Sequence, residues 1–429
     1  MNVQLEEPDR AEVVEVLSRL VAAPSVNPLG ADVAEAPFGE GRVAEIVEDY
    51  LGALGVTSER QEVFPGRFNV VGKLEPCGFR KTLILEVHMD TCKVEGMSIA
   101  PFDPKVEDGK LFGRGACDTK GSLAAMLMGL KMLCTRRESL RTRVILLATV
   151  DEEFSYAGVK QFVNEGGRGD LAIVGEPTRL NLVVAHKGGV RWRIITHGKA
   201  AHSSQPELGS NAIYKMARVV RAIEEKVIPL YSKRVHPLLG NPTISVGTIE
   251  GGQQTNVVPE RCAISIDRRL LPKEDPKEAM AEVNETVAQA FGEGWESELE
   301  FEEASLIDFA LDGSPDDACT RFVASAARKV LPELQVVGVH YGTDASKLAL
   351  GGIPSLVFGP GDIAQAHSAV EFVAIEEVVK AAQVYAQVAL DMQAQPTAPA
   401  PVCSVISSGP SKGRGGRCAG AVPGAGLRL

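Results

Sequence analysis

A chain of 429 residues is too long for one ordinary core, and a composition of 45% hydrophobic and 24% charged residues is globular, so two or three domains are expected. The net charge of −11 argues against nucleic acid or an anionic membrane surface as a partner. No apolar run nears the roughly 20 residues of a membrane span, the polar N-terminus is unlike a signal peptide, and eight scattered cysteines suit a reducing compartment, so a cytoplasmic protein is expected.

Val13, Val16, Leu17 and Leu20 recur at helical spacing, as do Val43, Ile46, Val47 and Tyr50, with Gly55 placed to end the second helix. Strands are predicted at Asn69–Leu74 and Thr82–Val87, the latter running into His88-Met-Asp90. A Gly- and Asp-rich excursion closes on Gly113-Arg-Gly-Ala-Cys-Asp118-Thr-Lys-Gly121 and feeds a helix over Ser122–Leu133. Arg143–Val150 is a buried strand ending in Asp151-Glu152-Glu153, and Leu171–Gly175 is another, ending in Glu176-Pro177. Strands alternating with helices predict an α/β fold with a doubly wound, mostly parallel sheet.

Near Lys187 the pattern changes. Strand Val190–Thr196, helix Asn211–Val227, strands Thr243–Ile249 and Arg261–Leu270, helix Pro276–Phe291 and strand Ser297–Glu303 give the order βαββαβ. The first pattern returns with helix Ala318–Val330, the loop Tyr341-Gly-Thr-Asp344, strand Ser355–Phe358 and helix Ile375–Met392. The expected organisation is therefore a catalytic domain over 1–186 and 305–393, interrupted by an inserted α+β domain over 187–304. The Pro-, Gly- and Ser-rich segment 394–429 is expected to be a disordered tail.

Polar residues gather at the predicted strand ends: His88, Asp90, Asp118, Glu152, Glu153 and Glu176, with His367 following the last sheet strand. Each alone has an ordinary explanation: Asp118 as a helix N-cap, the Glu152-Glu153 pair as a solvated turn, His367 as a surface histidine. Together they face an electrostatic problem, because two like charges about 4 Å apart cost about 4 kcal/mol at an effective dielectric near 20. Two divalent cations solve it. Asp118, Glu153 and Glu176 plus one hydroxide balance two Zn²⁺, which leaves Glu152 free to act as a general base. Histidines and carboxylates without thiolates suit a catalytic zinc or cobalt site.

These motifs, with Ala201-His202-Ser203 and Ala366-His-Ser-Ala-Val-Glu371, resemble the di-zinc amidohydrolase family that contains acetylornithine deacetylase, succinyl-diaminopimelate desuccinylase, aminoacylase and carboxypeptidase G. The resemblance spans Val13 to Met392. It implies His88 and Glu176 as ligands of one ion, Glu153 and His367 as ligands of the other, Asp118 as the bridge, Asp90 as the partner of His88 and Glu152 as the base. It also implies a cis peptide bond after Asp118. The inserted domain resembles a lid and dimerisation domain, so a homodimer is expected in which His202 reaches the neighbouring subunit's site. Asn256 and Arg269 match substrate-holding lid positions, although Arg268 stands beside the latter. Tyr341-Gly-Thr-Asp-Ala-Ser346 and Phe358-Gly-Pro-Gly361 look most like acetylornithine deacetylases and related N-acyl-amino-acid deacylases. The expected activity is hydrolysis of a small N-acyl-amino acid, with a carboxypeptidase or dipeptidase, or the desuccinylase, as alternatives using the same site; the retention of Glu152 with all five ligands speaks against a non-catalytic metal-binding scaffold.

Overall fold

The computed structural model describes residues 5–31 and 36–392. The predicted tail lies outside the described residues.

Four parallel strands form the centre of an eight-stranded mixed sheet, in the order Thr142–Thr149, Lys81–His88, Leu171–Val174, Ser355–Val357. Antiparallel Arg67–Leu74 and then Thr57–Phe64 flank one side; Leu182–His186 and Val336–Val339, parallel to each other, flank the other. Lys81–His88 is buried on both faces because both are covered by helices. Leu83, Leu85 and Val87 pack into the larger core with helices Arg10–Ala22, Lys120–Cys134 and Ile375–Met392. Ile84 faces the opposite core, beneath helices Ala157–Asn164 and Ala345–Leu350. Each fully buried leucine contributes about 2 kcal/mol to this packing, and the doubly wound α/β reading holds.

The second sheet is antiparallel, in the order Thr243–Gly251, Arg261–Leu270, Gly188–His197, Leu299–Phe301, and has its own core around Trp192, Ile194, Ile264, Val219 and Val283. Helices Ala212–Ala222 and Pro276–Phe291 cover it, capped by Asn211 and Asp275, whose side chains accept backbone N–H bonds in the first turn. This is the predicted βαββαβ order. One further strand, Leu306–Asp308, pairs beside the start of Gly188–His197 as the chain returns.

The differences from the sequence reading have local causes. Thr57–Phe64 is a charged, largely exposed edge strand without alternation. Leu182–His186, Val336–Val339 and the hairpin Lys105–Glu107/Lys110–Phe112 are too short for a periodic signal. The helix expected to end at Val227 continues through a wider π turn, Ile223–Val227, into Ile228–Tyr231, where that turn accommodates Pro229.

Candidate metal centre

The four parallel strands end at one edge of the sheet, where ligands of open α/β folds collect. Backbone bonds hold this edge together: Met89 N–H to Thr149 O at 2.9 Å, Gly175 N–H to Glu86 O at 2.8 Å, Phe358 N–H to Val174 O at 2.9 Å. Gly359 passes so close to Glu176 that a Cβ there would lie 2.6 Å from its carbonyl oxygen. That close approach fixes Glu176 against the fourth strand.

His88, the last residue of its strand, points Nε2 at Asp118 Oδ1, 3.1 Å away, and lies 4.0 Å from Glu176 Oε1. On the other side of Asp118, Oδ2 is 3.5 Å from His367 Nε2, which also meets the two Glu153 oxygens at 3.1 and 3.0 Å. The Asp118 carboxylate thus stands between two imidazoles, each with a further glutamate. The Asp118–Thr119 peptide bond is cis. Glu152 enters the same cluster without pairing to either histidine.

Asp90 is fully buried. His88 Nδ1 meets its backbone oxygen at 2.9 Å, while its carboxylate lies 3.6 Å from the ring. That carboxylate accepts instead from Glu152 N–H at 3.2 Å, Glu153 N–H at 3.0 Å and Asn27 Nδ2 at 2.7 Å. One acid therefore sets the turn that presents both glutamates. Glu371 does the same for the bridge: Oε1 accepts from Cys117 N–H at 2.9 Å and Asp118 N–H at 3.0 Å, and Arg114 neutralises Oε2 at 2.6 Å. Asn27 carried no sequence signal for its role, and Arg114 stood inside the Gly113–Gly121 motif without one of its own. Glu371 stood inside a recognised motif, four residues after His367, and could have been suspected. Cys92, partly buried, was missed as well: its sulfur, a Glu153 oxygen and a His367 nitrogen all lie within 4.8 Å of one another. A thiol thus stands beside the histidine and carboxylate donors expected from the sequence.

Burial raises the pKa values of Glu152 and Glu176, and neighbouring acids push them further. Burial also acts to raise Asp118, but hydrogen bonds from His367 and His88 outweigh it and bring the group below the ordinary carboxylate range. His367 is raised by its bonds to Asp118, Cys92 and Glu153. For His88 burial opposes the charge, yet Asp118 and Asp90 prevail and raise it. Among the described residues, the basic groups paired with these carboxylates are imidazoles, not lysine or arginine. Clustered oxygen and imidazole donors with this excess of negative charge fit divalent cations of the zinc class.

The remaining candidates belong to the second sheet and its loops. His202 bridges to Val257 and Ser203 N–H bonds Asn256 O at 3.0 Å, so His202 and Asn256 share one loop pair. They sit beyond His197, at the end of Gly188–His197 away from the main sheet, and that strand alone spans about 30 Å. Arg269 is at the near end, opposite Gly189, partly exposed and paired with Asp267 at 2.8 Å. Arg268 is buried, donating to Tyr231 Oη at 2.8 Å and Glu274 at 2.9 Å. Of the two arginines, only Arg269 has a guanidinium open to a ligand.

Residues 84–391 match the peptidase family M20/M25/M40. An acetylornithine deacetylase of Myxococcus xanthus is 32% identical over 79% of this chain and 88% of its own. An acetylornithine deacetylase of Proteus mirabilis is 32% identical over 87% of this chain and 93% of its own. In fold, the chain is similar to an M20 family metallo-carboxypeptidase from Sulfolobus solfataricus, with a TM-score of 0.72 at 21% identity, covering 89% of this chain and 99% of that one. With the family matched over most of its length and the His-Asp-Glu cluster at the expected strand ends, this chain is an enzyme of the M20/M25/M40 hydrolase family, similar to acetylornithine deacetylases.

Proposed function

We propose that this enzyme hydrolyses the amide bond of an N-acyl-amino acid, with N-acetylornithine the foremost candidate, using two divalent cations, zinc or cobalt. The observation that carries this reading is the Asp118 carboxylate set between His88 and His367 at 3.1 and 3.5 Å. In this reading His88 and Glu176 hold one ion, Glu153 and His367 the other, and Asp118 bridges them. Such ions supply Lewis-acid polarisation of the acyl carbonyl and lower the pKa of water toward about 7.

Glu152 serves as the base. Its neighbour Glu153 is engaged by His367, and the Asp90 carboxylate fixes the backbone of both. Its raised pKa, caused first by burial, suits a group that takes a proton from the attacking water and then delivers it to the departing amine. Asp90 orients His88 from its Nδ1 side.

Residues 187–304 act as lid and dimerisation domain, and 1–186 with 305–393 as the catalytic domain. His202 Nδ1 faces both Ser204 Oγ at 2.8 Å and Ser204 N–H at 3.2 Å; with both donating to it, the ring proton sits on Nε2 and is free for an oxyanion. Because His202 lies at the far end of the lid sheet, a homodimer is needed for it to serve a site, and that site is the neighbour's. Arg269 takes the substrate carboxylate, by a bidentate pair, and Asn256 contacts the substrate from the lid.

The test is a hydrolysis panel on zinc- and cobalt-loaded protein: N-acetylornithine, succinyl-diaminopimelate, other N-acyl-amino acids and dipeptides. Preferential release of free amine from N-acetylated amino acids is expected. Cleavage of dipeptides alone would turn the assignment to a peptidase, and no cleavage of any amide would remove it.

A further inference from the structure

The chain stays extended beyond His88. Thr91 N–H bonds Ser25 O and Thr91 O accepts from Asn27 N–H, both at 2.9 Å, in a parallel bridge to Val26. Extended backbone sends alternate side chains the same way, so His88, Asp90 and Cys92 form one row. The Cys92 sulfur ends within 4.8 Å of both a Glu153 oxygen and a His367 nitrogen. Its other contact, with the Lys93 carbonyl at 3.7 Å, is weak. The spacing is on the scale of ligands that share one ion, whose bonds are about 2.0–2.3 Å for N, O and S donors.

We propose that Cys92 is a further protein ligand, beside the shared Asp118, of the ion held by Glu153 and His367, making the two metal positions chemically unequal. The inference rests on the two-ion reading above. One position, formed by His88, Asp118 and Glu176, offers only nitrogen and oxygen. The other adds sulfur. On binding, the Cys92 S–H bond breaks, its proton leaves to solvent and the sulfur's electron pair forms the bond to the ion; no electron is transferred. A coordinating thiol loses its proton in this way. Soft or borderline ions such as Cd²⁺ and Zn²⁺ are then favoured at the Cys92 position over Mn²⁺ or Mg²⁺.

Cd²⁺ titrated into chelated full-length protein tests this, read by near-ultraviolet thiolate-to-metal charge-transfer absorption beside the bound-ion count. The wild type is expected to bind two ions and to develop the band with one of them. Cys92→Ala and Cys92→Ser are expected to lose the band and to bind one of the two ions at least about tenfold more weakly. Mass mapping after iodoacetamide treatment should find the Cys92 peptide protected by Cd²⁺ and alkylated in its absence. Two bound ions without a band, or a band that persists in Cys92→Ala, overturns the thiolate ligand and leaves the two-ion reading standing. Failure of wild type to bind any ion overturns both.

Discussion

Replacing Asp90 by Asn tests whether one buried carboxylate positions the paired glutamates. In the native protein its oxygens receive three N–H donors, from Glu152, Glu153 and Asn27, at 3.2, 3.0 and 2.7 Å. An amide keeps one oxygen and turns an NH₂ toward a donor it cannot accept. One unpaired buried donor costs about 1–3 kcal/mol, and two remaining bonds that lose charge assistance cost about 1 kcal/mol each. Cheaper burial of a neutral group offsets part of this, leaving a net loss of about 2–4 kcal/mol. As the turn loosens, zinc affinity should fall about 10- to 100-fold, the usual effect of removing a support behind the ligands. The assay is urea unfolding of chelated protein by far-ultraviolet circular dichroism, with a zinc competition titration beside it. Tryptophan fluorescence is the wrong probe, because Trp192 and Trp295 both belong to the second core. An Asp90→Asn protein with unchanged urea midpoint and unchanged zinc affinity refutes the positioning role.

Arg269→Ala should raise KM at least about tenfold with the fold intact, whereas Arg268→Ala should lower stability by about 2–4 kcal/mol by stripping Glu274 of a buried partner; steady-state kinetics and unfolding midpoints separate them, and the reverse pattern refutes the assignment. Mixing His202→Ala with Glu152→Ala chains should restore activity in verified heterodimers, since one composite site then holds both groups; no recovery means the lid serves its own chain. Glu152, Glu176 and His88 all have raised folded pKa values, the acids chiefly by burial and His88 through Asp118 and Asp90. The glutamates contribute stability that is complete below their ordinary 4.5 and lost as pH rises through the raised values, and His88 acts in the same sense above 6.5. Chelated protein should therefore lose stability as pH climbs from about 4.5 toward neutrality, while zinc-loaded protein does not; a flat or rising urea midpoint for the chelated form contradicts this.

The central strands were legible because burial on both faces leaves short, predominantly apolar runs, and the acids terminating them were legible because nothing apolar competes at those ends. The two-sheet organisation followed from the change to βαββαβ order after Lys187. What stayed hidden were groups whose work depends on distant backbone: Asn27 reaching across 63 residues to Asp90, and Glu371 holding the Asp118 amide from 253 residues away. No local period marks such contacts. Cys92 was different, since its place two residues after Asp90 was visible, but a lone cysteine carries no meaning until His367 is seen beside it. Which of Arg268 and Arg269 is buried also needed the structure, because adjacent residues on a strand differ only in which face is covered.

The central claim is that Glu153 holds metal while Glu152 acts as base, and metal content measured beside turnover in both alanine variants tests it most directly. Glu152→Ala is expected to keep two ions per chain yet lose at least about 10²-fold in kcat on N-acetylornithine. Glu153→Ala is expected to lose one ion and activity with it. Loss of metal from Glu152→Ala, with both ions retained in Glu153→Ala, would contradict the account.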